Sequence, residues 1–150
     1  MTVEMIIQIL TGALGSLGFA LLYRLRPEHL PLATLGGALA WGAYLLGMQF
    51  SDNIFVACLF ASVICTLYSE ILARINKIPV TVVLIPSVIP LIPGSSLYYA
   101  MSSLVQRDLE DGWFYGKLTF QYALGIALGI SLVWTFWAVL FQRKNQPRDN

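Results

Sequence analysis

Five long apolar runs, separated by polar breaks, make up most of this chain. They cover residues 3–23, 31–50, 54–73, 78–105 and 118–141. A helix needs roughly 20 consecutive, mostly apolar residues to cross about 30 Å of hydrocarbon. Each run therefore predicts a transmembrane helix, and residues 1–150 read as a single transmembrane domain. The breaks are short except for residues 106–117, so little chain is left for a soluble domain. Glu4 stands at the mouth of the first run, where a secretory signal would carry basic residues. That run is expected to stay in the mature protein.

Composition agrees with the pattern. The chain is 57% hydrophobic and 11% charged, with a mean hydropathy of +0.72, whereas soluble domains are about a quarter charged. Nine basic and eight acidic residues are too few for the polar coat of a soluble enzyme. A formal charge of +1 supplies no basic surface for nucleic acid. Where the basic residues fall sets an expected orientation. Arg24 and Arg26 follow the first run, Arg74 and Lys77 the third, and Arg143, Lys144 and Arg148 the last. The other side receives only Arg107 and Lys117, next to Asp108, Glu110 and Asp111. Basic residues collect on the cytoplasmic side, which predicts an N-terminus outside and a C-terminus inside. Trp113, Phe114 and Tyr115 then fall at the outer interface, where aromatic belts form.

Candidate chemistry in side chains is sparse. Cys58 and Cys65 share the third run, about 10 Å apart along a helix axis, too far for a disulfide. His29, the single histidine, sits in a loop without other metal-ligand types around it, so no metal and no cofactor are expected. No nucleophile–base pair is visible, and no enzyme is predicted. Charge within the hydrocarbon usually marks function. Only Glu4, Asp52 and Glu70 come near it, all close to run ends, and Glu70 stands four residues before Arg74 as an i,i+4 pair. Small residues are plentiful: Gly12, Gly15 and Gly18, then Ala33, Gly37 and Gly42, then Gly125 and Gly129 in a GxxxG. In lipid, such residues let helix backbones approach closely. The faces they mark serve either internal packing or a contact with another subunit.

The fourth run is the distinctive one. Pro86, Pro90 and Pro93 each lack an N–H, which removes the helical partner of the Val82, Pro86 and Ile89 carbonyls. Pro93-Gly94 adds a further break, and Ser95 or Ser96 is positioned to cap a new helix starting near Leu97. Twenty-eight residues would span roughly 40 Å if fully helical, which leaves slack for unwinding. This is the pattern of a discontinuous transmembrane helix, a device that transporters use to aim free backbone groups at a solute. The N–H groups around Gly94 and the hydroxyls of Ser95, Ser96, Tyr98 and Tyr99 are the candidate substrate contacts. The competing reading is a kinked structural helix whose serines satisfy their own backbone.

Residues 85–101, above all Ile89-Pro90-Leu91-Ile92-Pro93-Gly94 followed by Tyr98 and Ala100-Met101, resemble the signature of the threonine/serine exporter family. Gly18-Phe19-Ala20-Leu21-Leu22-Tyr23 and Leu35-Gly36-Gly37-Ala38 resemble its first span and the start of its second. The likeness is to the second half of the family, which also occurs as a separate small protein. It implies five helices in a prokaryotic plasma (inner) membrane and a companion five-helix subunit. It also implies secondary export of threonine and serine or, for split versions, of dicarboxylates such as succinate. A different class of function, a non-transporting subunit that stabilises a partner, and a homo-oligomeric transporter both stay open.

Overall fold

The computed structural model describes residues 2–142, and the basic tail residues Arg143, Lys144 and Arg148 lie outside them. The described residues fold into α-helices joined by short turns. They are α1 (Thr2–Leu22), α2 (Leu30–Phe50), α3 (Ile54–Asn76), α4 (Val80–Val88), α5 (Gly94–Val105) and α6 (Leu109–Gln142). Short 3-10 turns, Pro27–His29 and Ile89–Leu91, lead into α2 and follow α4. Four helices are long and apolar enough to cross a membrane, and α4 with α5, bent by 56° at the break, makes a fifth where the pair is counted as one span. The protein is an all-α, multi-pass membrane protein.

Helix α3 is the hub, packed against α2, α4 and α6. Its buried residues come in adjacent pairs one turn apart: Ala57 and Cys58, Ala61 and Ser62, Cys65 and Thr66, Ser69 and Glu70. Nearly all are small, which makes that face flat and lets neighbouring backbones come close. Glycines on the facing helices complete the fit. A Cβ on Gly47 would lie 2.8 Å from the Ala57 Cα, and one on Gly125 would lie 2.8 Å from the Cys58 Cβ. A Cβ on Gly129 would run into the Ser62 hydroxyl, one on Gly36 into Ser87, and one on Gly37 into Ser16. Gly12 meets Trp41 in the same way, at 3.2 Å. Gly12, Gly37, Gly125 and Gly129 thus serve contacts within this chain. Gly15 and Gly18 do not, because a Cβ there would meet nothing within 4 Å.

Buried hydroxyls tie these faces together. Ser62 Oγ reaches the Leu59 carbonyl at 3.0 Å and the Gly125 carbonyl of α6 at 3.2 Å. Ser87 Oγ reaches Val83 at 2.7 Å and Ala33 of α2 at 3.3 Å. The Tyr68 hydroxyl donates to Leu32 at 2.9 Å, and the Tyr44 and Tyr122 hydroxyls pair at 2.8 Å.

The direction of α6 settles how the chain crosses. Gly125 lies against Phe55 and Cys58, Gly129 against Ser62, and Trp137 against Arg74, so α6 runs parallel to α3. Helix α1 runs antiparallel to α2, and α2 antiparallel to α3. The start of α1 and the end of α6 therefore lie at opposite ends of the bundle, and the broken pair carries the fourth of five crossings. Arg24, Arg26, Arg74 and Lys77 gather at one end, and Arg107 and Lys117 at the other.

Helix α6 starts earlier than the apolar pattern predicts, at Leu109 rather than residue 118. The reason is the acidic cluster expected to lie in a loop. Asp108 caps the helix, its side chain accepting from the Asp111 N–H at 3.2 Å. Glu110 and Asp111 then occupy the first turn, where the helix dipole favours negative charge. At 34 residues α6 is about 50 Å long, well beyond the hydrocarbon thickness. Its first 13 residues run roughly 20 Å past the start of α3. Helix α5 lies antiparallel against that overhang, with Leu104 close to Gly112 and the Tyr99 ring 5.3 Å from Tyr115.

Helices α1, α3 and α5 end on a basic residue in the left-handed conformation: Arg24 (φ 52°), Lys77 (φ 53°) and Arg107 (φ 60°). In each case the next N–H reaches back to a carbonyl five residues earlier, as Ile78 does to Ala73 at 2.9 Å.

Two glycine substitutions test the packing. Gly37→Ala should lower stability by about 1–3 kcal/mol, because Ser16 has no room to retreat. Gly15→Ala should be neutral or stabilising by up to about 1 kcal/mol through helix propensity. Thermal melting of the detergent-solubilised chain distinguishes them.

Candidate functional site

The three prolines do different things. Pro93 is the residue before α5, and Pro90 lies in the first turn of the 3-10 segment, both places where a missing N–H costs little. Pro86 does not break a helix: it is buried inside α4, where its ring leaves the Val82 carbonyl without its usual donor. The break itself is Ile92-Pro93. Ile92 is extended (φ −68°, ψ 126°), as a residue before proline prefers. The Ile89 carbonyl, expected to be left over, accepts from the Ile92 N–H at 3.0 Å. Within the broken segment, the Val82 and Pro86 carbonyls each stand four residues before a proline that has no N–H to offer.

Helix α5 begins at Gly94, not near Leu97. Leu97 N–H bonds to the Pro93 carbonyl at 3.0 Å, and no side chain caps the helix. Ser95 and Ser96 are therefore first-turn residues rather than caps. The reason is Pro93, whose fixed φ already presets the turn.

A cleft of about 580 Å³ opens beside the break. Phe19 of α1 and Tyr23 just after it, Ile85 of α4, Ile92 and Gly94 at the break, and Ile130 and Trp134 of α6 form its walls. The lining is almost wholly apolar, with Thr81 and Tyr23 supplying the hydroxyls. Gly94 faces open space, so a side chain there would project without meeting any atom within 4 Å. Ser95, Ser96, Tyr98 and Tyr99 are not in this lining. Ser95, Tyr98 and Tyr99 are exposed on α5, and Ser96 is buried. The rings of Tyr98 and Tyr99 pack edge to face, 5.5 Å apart. The structure thus brings Gly94 and the break to the cleft and sets the candidate hydroxyls along the overhanging hairpin.

A second, more polar groove of about 220 Å³ lies on the other side of the break, between Ile89-Pro90 and the side chains of Gln8, Thr11 and Trp41. The Trp41 indole N–H points at Gln8 Oε1, 3.4 Å away. Gly12 and Gly15 complete the groove, so the open face of Gly15 borders a cavity. A search for formal charge in the hydrocarbon passes over this group. The available signal was Gln8 itself, an amide inside an apolar run. Glu70 and Arg74 do form the expected i,i+4 pair, at 3.5 Å.

The sequence profile described as "Threonine/Serine exporter, ThrE" matches residues 8–136. That stretch takes in most of α1, everything between, and most of α6. The chain belongs to the threonine/serine exporter family, which places it among membrane transporters. No solved structure matches the chain.

Cysteine labelling tests whether water reaches the break. Ile92→Cys should react with N-ethylmaleimide in intact membranes, and Ser87→Cys should stay inert in its buried position. The native Cys58 and Cys65 are both buried and should give no background. Labelling of neither new cysteine would show a dry cleft.

Proposed function

We propose that this chain is one half of a secondary-active exporter in a prokaryotic inner membrane, working with a companion five-helix subunit. Its substrate is a small carboxylate-bearing metabolite, either a hydroxy amino acid or a dicarboxylate. The observation that carries the reading is the bent α4–α5 pair beside an open cleft, in a chain whose family exports threonine and serine. A broken span inside a bundle is where transporters place solutes, because the free backbone groups need a polar partner there.

The division of labour follows from what the cleft lacks. No charged side chain lines it, so backbone groups and hydroxyls are the polar contacts this half offers at the break. The coupling ion and the remaining polar walls then come from the companion. Ser95 and Tyr98 are exposed on α5, and Tyr99 stays half exposed where its ring meets Tyr115 of α6, so all three are open to a second subunit. The end bearing Arg24, Arg26, Arg74 and Lys77 faces the cytoplasm, with the N-terminus outside. Alternating access comes from rocking one half against the other, with the 56° bend as the yielding point.

Gly94→Leu tests this reading. The leucine enters open space, so membrane insertion and the amount of protein should match wild type. It fills the cleft, however, and efflux of threonine or succinate from preloaded cells should fall at least about tenfold. Wild-type efflux by this variant would favour a stabilising subunit without a transport path.

A further inference from the structure

The outward face of α4 floors a groove that runs from the basic end of the bundle to the break. Thr81, Ile85, Val88 and Ile92 recur at steps of four, three and four, which α4 and its 3-10 turn bring onto one face. All four line the cleft beside the break. A neighbouring cavity of about 310 Å³ shares Tyr23, Thr81 and Ile85 with that cleft and continues to Leu25 and Pro86. The two adjoin as one groove, walled by Phe19 and Tyr23 on one side and by Ile130 and Trp134 on the other. From Thr81 to Ile92 it is roughly 17 Å long. That is about half of the ~30 Å hydrocarbon, the depth of one lipid leaflet.

Basic side chains gather where the groove begins. Arg24 stands between the lining residues Tyr23 and Leu25, Arg26 follows, and Lys77 precedes Thr81 by four positions. All three are exposed, and Arg24 and Lys77 are held in the left-handed turns that close α1 and α3. The acids described at this end are Glu28 and Glu70, and Glu70 is paired with Arg74. The hydroxyls of the lining, on Tyr23 and Thr81, stand at the same end. Beyond them the walls are hydrocarbon and aromatic side chains up to the break. Cations, then hydroxyls, then one leaflet's depth of apolar wall match the order of groups along a phospholipid: phosphate, glycerol esters, acyl chain.

We propose that this groove binds an anionic phospholipid. Its phosphate lies among Arg24, Arg26 and Lys77, whose N–H donors suit phosphate oxygens. The Tyr23 and Thr81 hydroxyls donate to the ester oxygens. One acyl chain lies along the face of α4 and ends below the break. Lipid tails are as apolar as the side chains here, so the chain gains little by entering the groove. The basic end therefore decides which lipid stays. A protein helix would fit the apolar walls but leave the three cations without a counter-charge. The site does not depend on the exporter reading; only its leaflet, the cytoplasmic one, follows from the orientation proposed above.

The test uses the full-length chain in phosphatidylcholine nanodiscs doped with lipids brominated at mid-chain. Bromine quenches tryptophan at short range, and Trp134 borders the groove. Brominated phosphatidylglycerol should quench saturably, at a mole fraction at least about tenfold below that needed for brominated phosphatidylcholine. Arg24→Gln and Lys77→Gln should each cut this preference roughly fivefold. Nanodiscs expose both leaflets, so reversed insertion of a variant does not affect the comparison. Thr81→Phe, which keeps the charges and narrows the groove, should also remove the preference, and inorganic phosphate at constant ionic strength should not. Equal quenching by the two lipids would overturn the site and leave the groove to bulk lipid or a protein partner. So would a preference that survives both charge removals, or one that persists undiminished in Trp134→Phe. A preference untouched by Thr81→Phe, or abolished by inorganic phosphate, would overturn the acyl chain's part in it. The lipid comparison uses the unaltered chain and decides the matter even if the variants fail to insert.

Discussion

Close approach of helix backbones along α3 is the constraint on which the rest of this structure depends. Lipid tails are as apolar as leucine, so burying leucine between helices gains little in a membrane. What holds the bundle is fit at short range and hydroxyl-to-carbonyl bonding where the backbones nearly touch. The stripe from Ala57 to Ala73 supplies the flat surface, and Gly47, Gly125 and Gly129 supply the matching recesses. Ser62 then joins α3 to α6 through the Gly125 carbonyl, and Ser87 joins α4 to α2 through Ala33. With α2, α3 and α6 fixed in this way, α4 has one place to go. It rises within the bundle to Leu91, whose side chain is fully buried, and there the prolines stop it.

The break is thus held by rigid neighbours on one side and left open on the other. Its inner half belongs to the packed core, and its outer half, α5, packs mainly on the overhang of α6. The 56° bend lies at the seam between these environments. The contacts of α5 with the first third of α6 are separate from the α3 interfaces. The helices packed around α3 carry most of the buried small residues, and α5 carries the exposed Ser95, Tyr98 and Tyr99.

Much of this was legible in the residues. Twenty-residue apolar runs dictate helices in lipid because nothing else satisfies the backbone, and the spans α1, α2 and α3 fall within a few residues of the pattern. Gly37, Gly125 and Gly129 signal packing at spacings that a helix brings onto one face. The early start of α6 was written just as plainly in Asp108, Glu110 and Asp111. A loop and a capped helix start share the same residue types, and hydropathy alone does not separate them. Pro86 was read by its chemistry, without the neighbours that let a helix continue through it. The placement of Ser95 and Tyr98 away from the cleft depended on the angle between α4 and α5, which no local pattern encodes. Glu70 is the clearest case. Its spacing from Arg74 was readable, but its burial in the fold, beside Trp134 and Trp137 more than sixty positions away, was not.

The left-handed helix ends carry one more implication. A glycine would serve at Arg24, Lys77 or Arg107 with less conformational cost, since it has no Cβ to crowd the carbonyl. Basic residues stand there instead, and two of them, Arg24 and Lys77, belong to the charge tally that distinguishes one membrane face from the other. In the orientation proposed above, the same side chains shape the turns and mark the cytoplasmic face. A change to glycine would ease the bend while erasing part of the address, so improvement in folding and fidelity of insertion pull in opposite directions at these positions. On that orientation, the strain of a left-handed basic residue is what these short turns carry in return for a charge at the membrane face.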